Sequence, residues 1–416
     1  MTKRRVDLLV LGSTQTVTVN SDGASDDLGV VEDGGVAVKG GRIVQAAASQ
    51  LLERKFSASK TINAYDEIIL PGFVDPHTHL VFNGSREDEF QARVSGVPYI
   101  EVLKRGGGIL ETVQKTRRTS GAELFSAASK RLDGLLEAGS TTVEIKSGYG
   151  LRTSDELKIL QTIRNLSRTH PCRVIPTFLG AHAIPPEYSA PKEYCRMIIR
   201  EMIPLVVRSK LAAFCDVFCE EGAFDARESL SILKAAAQGG LRTKIHADEF
   251  TASGGARIAN TLGSTSGDHL VHSPVKELER MLKTRVTPVV LPASSHSLLS
   301  AEHANAREML SMGLPMALGT DFSPANWVLG QLTVAALAAR ELRMRAGEIL
   351  RGITLNAARA VGMERVVGSL APGKSADLVT LRVPNYKWIG YGYGEGAVDK
   401  VLIGGRLKVE NGKRVQ

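Results

Sequence analysis

Cysteine is scarce and poorly placed for chemistry. Cys172, Cys195, Cys215 and Cys219 are the only four, and no Cys-x-x-Cys pair occurs among them. A zinc ribbon and a disulfide framework are therefore not expected, and a reducing, cytoplasmic setting is. Aromatic residues make up only 5% of the chain and the basic residues are scattered, which argues against a nucleic-acid surface. No apolar run approaches the ~20 residues of a membrane helix, so no membrane partner is expected. The start of the chain, Lys3-Arg4-Arg5 followed by apolar residues 6–11, has the outline of a signal peptide. It breaks at Ser13-Thr14-Gln15 without a small-residue cleavage site, and a strand is the better expectation. What the chain does have is 43% hydrophobic residues, ample for a large core, and a net charge of +8 that favours a small anionic ligand.

The two ends of the chain share one texture. Residues 7–11, 16–19, 35–39 and 42–46 read as short strands, with Lys39-Gly40-Gly41-Arg42 as a hairpin turn. Residues 376–381 and 398–403 alternate in the same way, and Gly404-Gly405 joins the latter to residues 406–409. Neither end is long enough to form a stable sheet alone. The expectation is one small composite β-sandwich domain built from residues 1–66 and 370–416, with residues 67–369 inserted between them.

Within the insert, apolar strands alternate with helical stretches, the pattern of a parallel sheet. Candidate strands are residues 74–80, 142–146, 173–179, 214–219, 243–246, 265–269, 287–291 and 315–320. Helical periodicity covers 122–138, 154–168, 191–209, 227–239 and 254–262. Eight such units predict an α/β chain with a TIM-like (β/α)8 barrel, whose chemistry belongs at the C-terminal strand ends. The connection after the first strand, residues 81–120, carries Gly106-Gly107-Gly108 but no Gly-Lys-Ser/Thr. A mobile lid fits it better than a phosphate loop.

Polar residues gather at those strand ends. In Val74-Asp75-Pro76-His77-Thr78-His79-Leu80 the two histidines share one face of a strand, and Asp75 is placed to orient one of them. The fifth strand ends in His246-Ala247-Asp248-Glu249, the sixth in Asp268-His269 and the eighth in Gly319-Thr320-Asp321. His77, His79, His246 and Asp321 form a three-nitrogen, one-oxygen set suited to one Zn or Fe ion, divalent or trivalent. Asp321 is also placed to accept a hydrogen bond from an attacking water. Glu249, three residues beyond a ligand, is the candidate proton shuttle. His269 is read either as a group polarising a developing oxyanion or as a structural imidazole. Phe214–Cys219 and the residues after it offer no lysine to bridge two metals. Cys219, Glu220 and Glu221 are the only alternatives there, so one metal is the simpler expectation.

These motifs resemble the amidohydrolase superfamily over the whole chain, and more narrowly the imidazolonepropionase family. The narrow resemblance rests on Phe82-Asn83-Gly84-Ser85-Arg86 with Glu89-Phe90, on Gly106-Gly107-Gly108-Ile109, and on Glu144-Ile145-Lys146-Ser147-Gly148-Tyr149-Gly150-Leu151. It continues through Thr177-Phe178-Leu179-Gly180-Ala181-His182-Ala183, His246-Ala247-Asp248-Glu249-Phe250 and Gly319-Thr320-Asp321-Phe322. The resemblance implies hydrolysis of the ring amide of 4-imidazolone-5-propanoate to N-formimino-L-glutamate, a step of histidine degradation. It also implies that Arg86, Tyr149 and His182 hold the propanoate, for which a guanidinium fork is well suited. The family's Asn-Pro-Gly-Ser or Asn-Pro-Gly-Thr run after the metal aspartate is replaced here by Ser323-Pro324-Ala325-Asn326. Ser323 and Asn326 are then expected to supply the replaced hydrogen bonds to substrate. Two other readings remain: a heterocycle deaminase or other cyclic amidohydrolase of the same superfamily, and a non-catalytic scaffold. A symmetric homodimer is the default assembly.

Overall fold

The first strand of the chain pairs with three others along its length. In the computed structural model, which describes residues 3–20, 27–97, 108–394 and 396–415, β1 spans Arg4–Val17. It runs antiparallel to β2 (Val30–Lys39) and, over Arg4–Leu11, parallel to a later strand, Phe56–Asn63. Beyond a register shift between Val10 and Ser13 it pairs instead with Ile68–Pro71. Gly12 makes the shift feasible: its φ is +81°, and a Cβ there would lie 2.6 Å from the Tyr65 ring. Alternation along β1 then buries both faces. Leu8 and Val10 pack with Val36, Val38 and Ile69, while Leu9 and Leu11 pack with Ala37, Leu52 and Phe56.

The remaining early strands are β3 (Arg42–Ala48), β4 (Phe56–Asn63) and β5 (Ile68–Pro71). The barrel follows as β6 (Phe73–Asp75), β7 (Ser140–Lys146), β8 (Arg173–Ala181), β9 (Phe214–Cys219), β10 (Arg242–Thr243), β11 (His246–Ala247), β12 (Ser266–His269), β13 (Thr287–Val290) and β14 (Ala317–Leu318). After it come β15 (Leu378–Leu381), β16 (Val398–Ile403), β17 (Arg406–Glu410) and β18 (Lys413–Arg414). The ends of the chain meet where β15 pairs antiparallel with β5. This produces one nine-stranded sheet ordered β18-β17-β16-β15-β5-β1-β2-β3, with β4 on the side of β1. The terminal sheet thus reaches Pro71, a few residues beyond the boundary drawn from sequence texture.

The second sheet runs β14-β13-β12-β11-β9-β8-β7-β6, all parallel, with β10 and β11 acting as two halves of the fifth barrel strand. A parallel bridge between Thr78 and Phe322 joins its two edges and closes the (β/α)8 barrel. Helices including Gly121–Glu137, Thr153–Thr169, Ala226–Gln238 and Val275–Thr284 surround it. Two of them start with capping boxes, Ser120 with Glu123 and Asp225 with Glu228. The expected helix over 191–209 contains a π segment, Ile198–Met202, just before Pro204, whose missing N–H cannot complete the α ladder. Leu132, Leu136, Val143, Ile145, Ile159 and Ile163 form part of the core between helices and barrel wall. Among its described residues, the connection expected to be a lid contains two helices, Glu87–Val94 and Ile109–Arg118. Gly106 and Gly107 lie outside the described residues.

Candidate active site

Backbone pairing fixes the two leading histidines before any ligand arrives. Asp321 N–H donates to the His77 carbonyl (3.0 Å), His79 N–H to the Phe322 carbonyl (2.8 Å), and Lys146 N–H to the Thr78 carbonyl (2.9 Å). His-x-His is thereby held between the second and eighth barrel strands, with both imidazoles facing the mouth. Arg131 steadies the chain just beyond, donating to the carbonyls of Leu80 and Phe82 over the Phe82 ring.

The Nε2 atoms of His77 and His79 are 3.3 Å apart, and those of His79 and His246 are 3.4 Å apart. Asp321 Oδ1 lies 3.5 Å from Nε2 of both His77 and His79. Donors at about 2.0–2.1 Å from one tetrahedral ion would be separated by about 3.3 Å, close to these four spacings, so the cluster fits a metal site. The Nδ1 atoms agree with that fit. His77 Nδ1 donates to Asp268 Oδ2 (2.7 Å), and His246 Nδ1 lies 3.1 Å from Asp216 Oδ2. A carboxylate holding the Nδ1 proton leaves the Nε2 lone pair directed at the metal position. Burial drives His77 and His79 well below the usual imidazole range, so both are neutral and able to ligate. The same burial pushes Asp321 up to about 6, a shift that a bound cation reverses. His182 and His269 also come close enough to join donor triads. Their other ring nitrogens, however, face Gly148 and Glu249.

Asp75 differs from expectation. Its carboxylate accepts from Thr320 Oγ1 (2.6 Å) and Thr320 N–H (3.1 Å), bracing the eighth strand end, while Asp268 and Asp216 orient imidazoles. Asp268 stood beside His269 in the sequence, and Asp216 interrupts the apolar run of β9. Asp268 is visible in the sequence only as a polar neighbour of His269 at the sixth strand end and Asp216 not at all, because neither carries a motif that predicts an orienting role. Two of the three candidate bridging groups after the fourth strand are engaged elsewhere, while Glu221 is exposed and lines the cavity that opens on the histidines. Glu220 accepts from Phe250 N–H (2.9 Å) and from Thr251, and Cys219 Sγ points to the Ser253 carbonyl (4.0 Å).

Glu249 and His269 stand together above this cluster, with Oε1 to Nδ1 at 3.5 Å. Burial, and then the Asp321 charge, push the Glu249 carboxyl well above the usual carboxylate range. Its turn is braced by Asp248, whose carboxylate accepts from Gly254 and Gly255 N–H (2.9 Å each) and from Ser273 Oγ (2.6 Å). Positive φ angles occur at Asp248 (53°), His269 (72°), Leu270 (60°) and Asp321 (51°). Such conformations are uncommon outside glycine and cluster where side chains are aimed at chemistry.

A cavity of about 470 Å³ opens on this cluster. Arg86, Tyr149, His182, Glu249, Ser323 and Asn326 all line it or border it. Arg86 Nε donates to Thr112 Oγ1 (2.9 Å), which orients the guanidinium from the later of the two helices. His182 stacks on His79 with centroids 4.9 Å apart, and its Nδ1 faces the Gly148 carbonyl (3.1 Å). Burial lowers His182 to about 3. Gly148 allows this approach: its φ is +111°, and a Cβ there would lie 2.9 Å from His182 Nδ1. Glu156 holds the Tyr149 loop by accepting N–H bonds from Gly148, Gly150 and Leu151, a strut that sequence reading missed. Asn326 is committed to the protein as well. Its amide donates to the carbonyls of Thr320 (2.8 Å) and Asp321 (3.2 Å) and accepts from Ser297 (2.9 Å). Asn326 therefore shapes the Asp321 loop, with both amide donor contacts directed at backbone carbonyls.

A barrel carrying His-x-His, a histidine, and an aspartate at its first, fifth and eighth strand ends defines a class. Residues 68–408 match the amidohydrolase family. The chain is 43% identical to imidazolonepropionase of Symbiobacterium thermophilum, over 99% of each chain. It is 41% identical to the imidazolonepropionase of Alkaliphilus metalliredigens, over 98% of this chain and 99% of that one. The chain belongs to the amidohydrolase family and, within it, to the family of these imidazolonepropionases. Among solved structures it resembles a zinc-containing adenosine deaminase of Xanthomonas campestris, with TM-score 0.77 and 19% identity over 100% of this chain and 95% of that one. It also resembles the E. coli guanine deaminase, with TM-score 0.73 and 17% identity over 97% and 99% of the two chains. At those identities the likeness is one of fold.

Proposed function

We propose that the chain hydrolyses the ring amide of 4-imidazolone-5-propanoate, giving N-formimino-L-glutamate in histidine degradation. The observation that carries this reading is a single cavity that joins His79, His246 and Asp321 of the metal-donor cluster to Arg86, Tyr149 and His182. His77, His79, His246 and Asp321 would hold one ion, zinc or iron. When bound, it supplies Lewis acidity that polarises the ring carbonyl and makes a nearby water easier to deprotonate.

The protein groups divide the remaining work. Asp321 orients the attacking water by accepting its hydrogen bond. Glu249, kept buried beside His269, takes a proton from that water and delivers it to the leaving ring nitrogen. His269 lies beside Glu249 and stabilises negative charge as it grows on the carbonyl oxygen. Arg86 grips the propanoate through its guanidinium fork, and Tyr149 and His182 close around the same end. Ser323 borders the ring side, and Asn326 acts through the backbone of Asp321.

The substrate is thus a small anionic heterocycle. Neither a nucleic acid nor a membrane enters the reading, and no described helix is long and apolar enough to cross a membrane. All four cysteines are free and buried, as in a reducing cytoplasm. A symmetric homodimer is the expected assembly. The deciding experiment supplies imidazolonepropanoate, cyclic ureas and purines to the purified protein. Loss of imidazolone absorbance without ammonia release supports the reading, whereas ammonia release from a purine with inert imidazolonepropanoate overturns it.

A further inference from the structure

Beneath the metal-binding residues the barrel lumen holds charge where most barrels hold hydrocarbon. Lys146 on β7 is fully buried, and its Nζ donates to Glu144 Oε1 and to Asp216 Oδ2 at 2.8 Å each. The same nitrogen is 3.7 Å from Asp268 Oδ2. Asp216 and Asp268 are the two carboxylates that face the Nδ1 atoms of His246 (3.1 Å) and His77 (2.7 Å). Glu144 reaches a third point of the cluster. Its carbonyl accepts from the hydroxyl of Thr78, the residue between the two leading histidines, at 2.7 Å. One ammonium therefore stands behind donors contributed by the first and fifth strands.

Alternation in β7 explains how it comes to stand there. Val143 and Ile145 face the helices and join the core, so Glu144 and Lys146 point into the lumen. A buried ammonium is costly unless several acceptors surround it, and here three carboxylates do. Lys244 is the informative contrast. It is equally buried and lies 3.5 Å from Asp268, but it donates to the backbone carbonyls of Pro76 (3.0 Å) and Ala360 (3.4 Å) and touches neither Asp216 nor Glu144 in the described contacts.

We propose that Lys146 is a positioning residue for the metal site, a shared counter-ion that holds Asp216 and Asp268 in place so that His246 and His77 present their Nε2 atoms together. The proposal rests on the reading of those histidines as metal ligands. It assigns Lys146 no contact with metal or substrate. It also makes the two ligands interdependent, because loss of the lysine loosens both carboxylates at once. Outer partners of metal-binding histidines commonly change metal affinity by about 10- to 100-fold.

Metal release tests this without relying on turnover. Zinc-loaded wild type, Lys146→Met and Lys244→Met are mixed with a chromophoric chelator, and release is followed optically. Lys146→Met should release zinc about 10- to 100-fold faster than wild type, and faster than Lys244→Met. Its cobalt-loaded form should show an altered visible band. In an Asp216→Asn/Asp268→Asn background, adding Lys146→Met should change release by less than about twofold, since the lysine has lost the groups it acts through. Should Lys146→Met fail to fold, the charge-compensated pair Lys146→Met/Asp216→Asn takes its place and should release zinc faster than Asp216→Asn alone. Unchanged release, or the same fold-change with both carboxylates already replaced, overturns the role of Lys146. A wild type that takes up no zinc or iron overturns the ligand assignment itself.

Discussion

Arg86 is where the proposed substrate can be tested most sharply. Its guanidinium is oriented by one hydrogen bond, Nε to Thr112 Oγ1 at 2.9 Å, and the residue is only 8% exposed. Among the described residues Thr112 is its sole hydrogen-bond partner, which leaves the terminal nitrogens of the fork for a carboxylate in the cavity. A charge-assisted, bidentate contact in such a closed place is worth about 2–4 kcal/mol. Arg86→Ala should therefore lower kcat/KM for imidazolonepropanoate by about 30- to 1,000-fold. Arg86→Lys should recover little, because an ammonium cannot reproduce the planar fork. Thr112→Val leaves the charge but frees its aim, and about 1 kcal/mol, or about fivefold, should be lost. The assay is initial rate from imidazolone absorbance, run in parallel on the free acid and its methyl ester, with metal content measured for every variant. Wild type should be slow on the ester, and Arg86→Ala should slow that reaction little further. Equal losses on acid and ester, with metal intact, would refute the assignment of Arg86 to the carboxylate.

Three further outcomes follow from the same geometry. His77→Ala or Asp321→Ala should lose bound metal and activity together by elemental analysis and rate assay, and a metal-free variant with full turnover would sink the hydrolytic mechanism. Glu249→Gln should keep its metal and bind substrate, yet lose about 10²- to 10⁴-fold in kcat, as removal of a proton shuttle predicts; retention of kcat would reassign the shuttle. We propose the division into residues 1–66, 67–369 and 370–416 as domain parts, and deletion of 370–416 strips β15 from β5. That truncated chain should give aggregated protein on size exclusion, and a monodisperse product with native circular dichroism would show that the ends fold separately.

Much of this architecture was legible because the relevant residues repeat a period or sit at a strand end. Eight apolar runs separated by helical stretches announced the barrel, and the glycine pairs at 40–41 and 404–405 marked hairpins that the structure contains. His77, His79, His246 and Asp321 were visible because strand ends gather polar residues. The polar lumen was not legible. Thr142, Glu144 and Lys146 alternate with apolar residues just as a solvent-facing strand would, and only closure of the sheet shows that the polar face points inward. The roles of Asp75 and Asn326 were also out of reach. Asp75 depends on Thr320, more than two hundred residues away in sequence, becoming its neighbour when the first and eighth strands meet, whereas Asn326 folds its amide back on the Thr320 carbonyl six residues earlier, a loop shape that no motif announces.

Fold alone leaves the reaction open. The two deaminase structures with TM-scores of 0.77 and 0.73 show that this framework is shared at 17–19% identity. A glutamate on the turn after the fifth strand suits ring deamination as well as ring opening, since both move a proton from water to a departing nitrogen. What separates the reactions is what the cavity demands of the rest of the substrate. Arg86 is nearly buried, and although Glu220, Glu221, Glu249 and Asp321 line the same cavity, none of them pairs with its guanidinium among the described contacts. A purine or pyrimidine brings no carboxylate, so binding one would desolvate the guanidinium without replacing its hydrogen bonds. In the proposed reading an imidazolone bearing a propanoate would satisfy both ends at once, ring at the candidate metal donors and carboxylate at the fork. Discrimination of this kind works by penalty: a site built around a buried charge rejects ligands that leave it unpaired more strongly than added contacts could favour the right one. In that reading the Arg86 cation, more than the candidate metal donors, is what marks this cavity for an anionic ring.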